Sequence, residues 1–194
     1  MSIDLNVYLD GVPSDWIQQV TRRLVELGLE CEVHPDYQSE YETHDGYLPV
    51  RIKLLNSGPT EARGKSYLTG FECAFSEFEY AEELKEVRNP PKPNFVQKLL
   101  FKQVQAPGRE YIKDEPTDDL LQSYSKVFAI NYHHESQILI ANAFAAALTE
   151  LVSGLFNDPQ GDVYLPAKIA IEAIPTYMEE LPVNEMVPFE GWDE

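Results

Sequence analysis

Apolar and polar residues alternate from the start of the chain, where Ile3, Leu5, Val7 and Leu9 share one face and predict a strand. Asp10-Gly11 marks a turn. Ser14 then stands as an N-cap before Trp16, Ile17, Val20, Leu24 and Leu27, whose spacing gives a helix with one apolar face. Gly28 supplies its stop, and Leu29, Cys31 and Val33 alternate as a second strand. An acidic, tyrosine-bearing loop is expected over Pro35–Gly46. A strand follows over Leu48–Leu55, then a Gly- and Pro-containing turn over Asn56–Lys65. Tyr67–Tyr80 reads as one long strand. Its apolar parity switches near Ser76-Glu77, which predicts a bulge or sharp bend.

Regular patterning then breaks at Asn89-Pro-Pro-Lys-Pro93. A short helix is expected over Phe95–Val104 and a loop over Ala106–Asp119, so 82–119 is read as an insertion or crossover. Ser125–Tyr132 predicts a strand, and Glu135–Val152 the clearest helix of the chain. That helix is apolar around most of its circumference and rich in alanine, as a helix at the centre of a fold should be. Gly154 is read as its stop and Leu155-Phe156 as the start of a short strand. A last helix is expected over Ala167–Ile174, opened after Pro166 and ended or kinked by Pro175. The order β-α-β-β-β, excursion, β-α-β-α predicts an α+β fold: a mixed or mostly antiparallel twisted sheet, helices packed on one face, ferredoxin-like elements within it. The expected organisation is one domain, 1–194, closing in an acidic tail over 176–194.

Charge changes the picture more than length does. The 194 residues carry a net charge of -18. Repulsion at that charge argues against direct nucleic-acid binding and against anionic membranes, and it favours basic protein partners. The distribution is uneven. No Lys or Arg occurs from Leu24 to Val50, whereas Lys85–Lys113 holds seven basic residues against two acids, a net of +5 that leaves -23 on the rest. No apolar run suits a bilayer and no leader pattern opens the chain, so a cytoplasmic protein is expected. Cys31 and Cys73 lie in strand-like stretches outside any CxxC pair and read as buried thiols.

Candidate chemistry is sparse. His133, His134 and Glu135, with His34 or His44, offer metal-ligating residue types. Neighbouring strand residues point to opposite faces, however, and there is no HExxH. Glu72, Glu77 and Glu79, or Asp158 and Asp162, could pair as carboxylates, as chance allows in so acidic a chain. Nucleotide-binding glycine motifs, a nucleophile elbow and an EF-hand pattern are lacking. No catalytic residue, metal ligand or cofactor is therefore assigned. The composition most suited to a task is tyrosine among carboxylates, which can grip a basic surface through rigid rings and charge pairing. Glu30, Glu32, Asp36, Tyr37, Glu40, Tyr41, Glu42, Asp45 and Tyr47 are the candidate partner-binding residues.

Four segments carry a resemblance: Gly46-Tyr-Leu-Pro-Val50, Leu68-Thr-Gly-Phe-Glu72, the alanine-rich Ala141–Leu151 and Gly154-Leu-Phe-Asn-Asp-Pro-Gln160. Together they resemble a group of small uncharacterised bacterial proteins, some of which look like immunity proteins of polymorphic toxin systems. Tyr47 stands where that pattern has phenylalanine. The resemblance implies a bacterial origin, an α+β fold and no catalytic residue. The expected function is a non-enzymatic acidic binding protein that neutralises a basic toxin or effector. The alternatives are a DNA-mimicking regulator, a metal-assisted hydrolase using His133 or His134, and an assembly subunit pinned through Met186–Trp192.

Overall fold

The computed structural model describes residues 3–37, 45–89 and 109–192. Among these, eight strands form one sheet: β1 Ile3–Leu9, β2 Leu29–Val33, β3 Asp45–Leu54, β4 Ser66–Glu77, β5 Lys126–Tyr132, β6 Leu155–Asp158, β7 Val163–Pro166 and β8 Val187–Pro188. The helices are α1 Trp16–Glu26, α2 Tyr80–Arg88, α3 Glu115–Leu121, α4 Ile138–Val152 and α5 Ala167–Glu179. The strand order is β2-β3-β4-β5-β1-β6-β7, and β8 pairs with the first part of β4. Every pairing is antiparallel. β5 and β6 therefore run the same way with β1 between them, joined over the sheet by α4. That split β-α-β unit is the ferredoxin-like element, and β2–β3 extend it at one side.

Alternation decides the two faces. Leu5, Val7 and Leu9, Leu29, Cys31 and Val33, Val50, Ile52 and Leu54, and Phe128 and Ile130 are buried in the main core. α1, α4 and α5 close this face. Trp16 at the start of α1 meets Phe75, Phe128 and Phe144 edge-on at 5.5–5.7 Å between ring centres. Every residue of α4 from Leu139 to Thr149 is buried. Its alanines let the helix sit close against neighbours on all sides, and its two polar members bond back to the helix. Asn142 donates to the Ile138 carbonyl at 2.9 Å and Thr149 to that of Ala145 at 2.7 Å.

Tyr8, Leu155 and Val127 point to the opposite face and start a second, smaller core. Phe78, Ile112 and Leu121 complete it, with Tyr80, Leu84 and Val87 of α2 packed against it. The described parts of 82–119 are thus two short helices seated on the sheet. Asp118 of α3 holds them together. Fully buried, it accepts from the Tyr80 hydroxyl at 2.6 Å and from the backbone N–H groups of Ile112 and Lys113 at 2.8 and 3.0 Å.

Local differences from the sequence reading have physical causes. The residue before α1 is Asp15, not Ser14, and its carboxylate accepts from Gln19 instead of capping the helix. β4 stops at Glu77, because the Phe78 N–H bonds Ser125 and its ring turns into the second core. α2 begins at Tyr80, the expected strand end, and runs into the stretch read as an insertion or crossover, and α3 covers the end of the expected loop. α3 is capped by the Asp114 carboxylate on the Thr117 N–H at 2.9 Å. The helix expected over 95–104 lies outside the described residues. Ser153, with φ 52°, carries the left-handed turn that ends α4. Gly154 serves close approach, since a Cβ there would lie 2.5 Å from the Tyr8 carbonyl oxygen. α5 runs through Pro175 to Glu179, because buried Ile174 and Met178 hold it in place despite the missing donor. β7 was not anticipated; it pairs with β6 across the Pro159–Asp162 turn.

Candidate functional site

The acidic positions singled out in sequence fall into separate settings. Glu30 and Glu32 sit on the outer face of β2 and flank Arg51 of β3, two strands in antiparallel register. Arg51 bonds Glu30 at 2.7 Å and Glu32 at 2.8 Å, and Lys53 approaches Glu30 at 3.9 Å. Partial burial works against the Arg51 charge, but its bonds to the two carboxylates outweigh that and raise its affinity for the proton. Residues 189–192 cover part of this cluster. Phe189 lies under the Arg51 guanidinium at 5.9 Å, and the Trp192 indole N–H donates to Glu32 at 3.3 Å. Trp192 also meets His34 edge-on at 4.8 Å. Glu30 and Glu32 are thus matched by cations of their own sheet.

Asp36 is exposed in a short 3-10 turn, and its N–H donates to His34 Nδ1 at 3.2 Å. Tyr37 packs partly against the main core. Tyr47 lies on the outer face of β3 across Gly70, where a Cβ would meet the Leu48 carbonyl and would lie 2.6 Å from the Tyr47 hydroxyl oxygen. Burial raises the Tyr47 hydroxyl pKa, and a hydrogen bond with Gln137 works the other way. Asp45 opens β3 opposite Ala74. Glu40, Tyr41 and Glu42 lie outside the described residues.

His133 and His134 enter α4 through a side-chain cap. The Gln137 side-chain oxygen accepts from both of their backbone N–H groups, at 2.8 and 3.1 Å. His133 reaches Glu72 at 3.7 Å. Among the described residues no three His, Cys, Asp or Glu side chains converge as metal ligands would. Cys31 is buried and its thiol is pushed up to about 12 by burial, with Arg51 pulling against that and Glu32 adding to it. Such a thiol is inert at neutral pH.

A groove lies elsewhere, on the outer face where β4 gives way to α2. It measures about 570 Å³, with Tyr8, Phe78, Val127 and Asn6 among its lining, together with Glu77, Glu79, Glu82, Glu83 and Glu86. The sequence places these carboxylates simply. Positions 79, 82, 83 and 86 recur at the spacing of one helical face. Tyr80, Leu84 and Val87 form the complementary apolar face and hold α2 on the sheet. Lys85 pairs with Glu82 at 3.1 Å. Among the described residues no cation forms an ion pair with Glu77, Glu79, Glu83 or Glu86. Burial raises the Tyr8 hydroxyl pKa, with Tyr164 and the Glu83 charge adding to the effect. Tyr8 therefore stays neutral beneath the acids.

Among the described basic residues, Lys126 of β5 stands directly opposite Glu77 in the sheet, whereas two others are engaged away from the groove. Lys113 bonds the Asp162 carboxylate at 2.7 Å, and Arg88 donates to the Glu110 carbonyl at 3.2 Å. Sequence reasoning passed over the groove because the alternation of Phe71, Cys73 and Phe75 carried the strand reading on to Tyr80. The i, i+3, i+4, i+7 glutamates were the signal available. Comparison with family models, with curated proteins and with solved structures gives no match to this chain.

Proposed function

We propose that this chain is a non-enzymatic acidic binding protein of the immunity type, which covers a basic surface on a toxin or effector protein. The observation that carries the reading is the groove beside α2: of the five carboxylates that line it, Glu82 alone makes an ion pair among the described residues, and they stand over the Tyr8 and Phe78 rings. Such an arrangement attracts a cationic partner from a distance and offers it non-polar area once docked. The acidic loop reading of residues 30–47 contributes less, because Glu30 and Glu32 already share Arg51. A regular row of acids along α2 also suits imitation of a phosphate backbone, so competition with duplex DNA for the captured partner separates that second reading from the first. The metal-hydrolase alternative has no ligand geometry among the described residues to support it.

The test is co-purification of the tagged full chain from its source cells at low and at high salt. A basic protein retained at low salt and released at high salt is the expected result. Capture of only acidic proteins, or capture indifferent to salt, would count against the proposal.

A further inference from the structure

Resting on that reading, we infer that the groove beside α2 is a docking slot for an arginine side chain carried on an extended segment of the basic partner. The simplest other account of the acids is helix energetics. Glu82 and Glu83 lie in the first turn of α2, where the positive end of the helix dipole favours them. That account does not reach Glu86, which lies in the last turn where the dipole opposes it, nor Glu77, which belongs to β4 and stands opposite Lys126 of β5. Both line the same groove. Their shared feature is the concavity they face.

The shape and chemistry of the groove select the occupant. Successive turns of α2 set its carboxylates about 5.4 Å apart along the axis, which spreads them along one wall. A small metal ion needs ligands converging within about 2–2.6 Å, and no such group exists among the described residues. A groove of about 570 Å³ has the scale of a side chain and its neighbours, not of a flat protein face. Its floor offers the Tyr8 and Phe78 rings, which stand 4.7 Å apart edge-on, and the Val127 side chain. A guanidinium is planar, weakly hydrated and forked. It can lie along such a floor while its N–H groups reach carboxylates on either side. A lysine ammonium is more strongly hydrated and presents no plane, so it should dock less well.

The experiment uses the intact chain and a fluorescein-labelled peptide of alternating glycine and arginine. Matching peptides carry lysine, or carry citrulline, the neutral analogue of arginine. Fluorescence anisotropy reads the affinity. The double variant E77Q/E83Q removes two groove charges, and E172Q/E180Q removes two charges from the other side of the molecule. Circular dichroism and thermal melting confirm that both are folded. The groove variant should weaken the arginine peptide about tenfold and the control variant less than about twofold. The citrulline peptide should fail to bind, and the lysine peptide should bind several-fold more weakly than arginine. Equal losses in the two variants, or equal binding of arginine and lysine peptides, would overturn the inference. If a basic partner is captured equally by wild type and E77Q/E83Q, the groove is not its slot although the wider reading stands. If no basic partner exists, the wider reading itself fails.

Discussion

At the scale of single residues, several side chains do two jobs at once, and Tyr80 is the clearest. It contributes its ring to the second core and its hydroxyl to buried Asp118. Burial first, and then the hydrogen bond and charge of Asp118, lift that hydroxyl from its ordinary 10.0 to about 12. The folded chain therefore holds this proton more tightly than the unfolded chain does. The associated stability is complete below pH 10 and is lost as pH rises from 10 through about 12. Replacing Tyr80 by Phe leaves Asp118 two backbone donors and removes the third bond. We expect a cost of about 1–3 kcal/mol at neutral pH. Urea unfolding midpoints between pH 9 and 12 should also fall less steeply in the variant than in wild type. Parallel profiles would show that Tyr80 is not the titrating group. Gly70 is a second such residue. A methyl group there meets the Tyr47 hydroxyl, which can swing away, and the Leu48 carbonyl, which is held in β3 and cannot yield freely. Gly70→Ala should lower the unfolding free energy by about 1–3 kcal/mol, measured in the same urea titration.

At the scale of elements, α2 joins stability and binding through its two faces. Glu82 near its start is favoured by the helix dipole and Glu86 near its end is disfavoured. Glu82→Gln should therefore destabilise the chain by a few tenths of a kcal/mol, and Glu86→Gln should stabilise it by about as much. Thermal midpoints at low ionic strength would check the opposite signs. Shifts of the same sign would mean that the general repulsion of neighbouring acids outweighs the dipole. If E86Q is more stable yet binds the arginine peptide more weakly, Glu86 is retained for recognition. This element also shows how far the sequence could be read. Elements whose pattern follows burial were legible: α1, the meander of β2, β3 and β4, and above all α4, whose unbroken apolar stretch announces a helix enclosed on all sides. α2 and α3 were not. Their apolar faces are short and cover only the small second core, so strand parity or proline content spoke louder than helical spacing. Tyr80 and Phe78 looked like the end of a strand because a bend, not periodicity, decides where they point. The candidate site followed the same logic. Glu30 and Glu32 were legible as acids, but their match to Arg51 depends on strand register, which no local pattern discloses.

At the scale of the whole molecule, a net charge of -18 sets the background against which every local pair acts. Self-repulsion opposes the compact state and is screened by salt. The thermal midpoint should rise between about 10 mM and 300 mM salt, a range over which the screening length falls from about 30 Å toward 6 Å. Differential scanning at constant pH tests this, and a midpoint that falls with salt would mean that ion pairs such as Arg51 with Glu30 and Glu32 outweigh the repulsion. The same screening weakens capture of a cationic partner, so stability and binding should move in opposite directions as salt is added. No helix among the described residues is long and apolar enough to cross a membrane.

The place of β1 between β5 and β6 has a consequence for biosynthesis. During synthesis β1 cannot gain either neighbour until residues 126–158 have followed it from the ribosome. At about 5–20 residues per second that delay lasts many seconds, with an apolar strand waiting alone. Assembly of the sheet's centre is thus a late event governed by contacts distant in sequence, and refolding should be slow for a chain of this size.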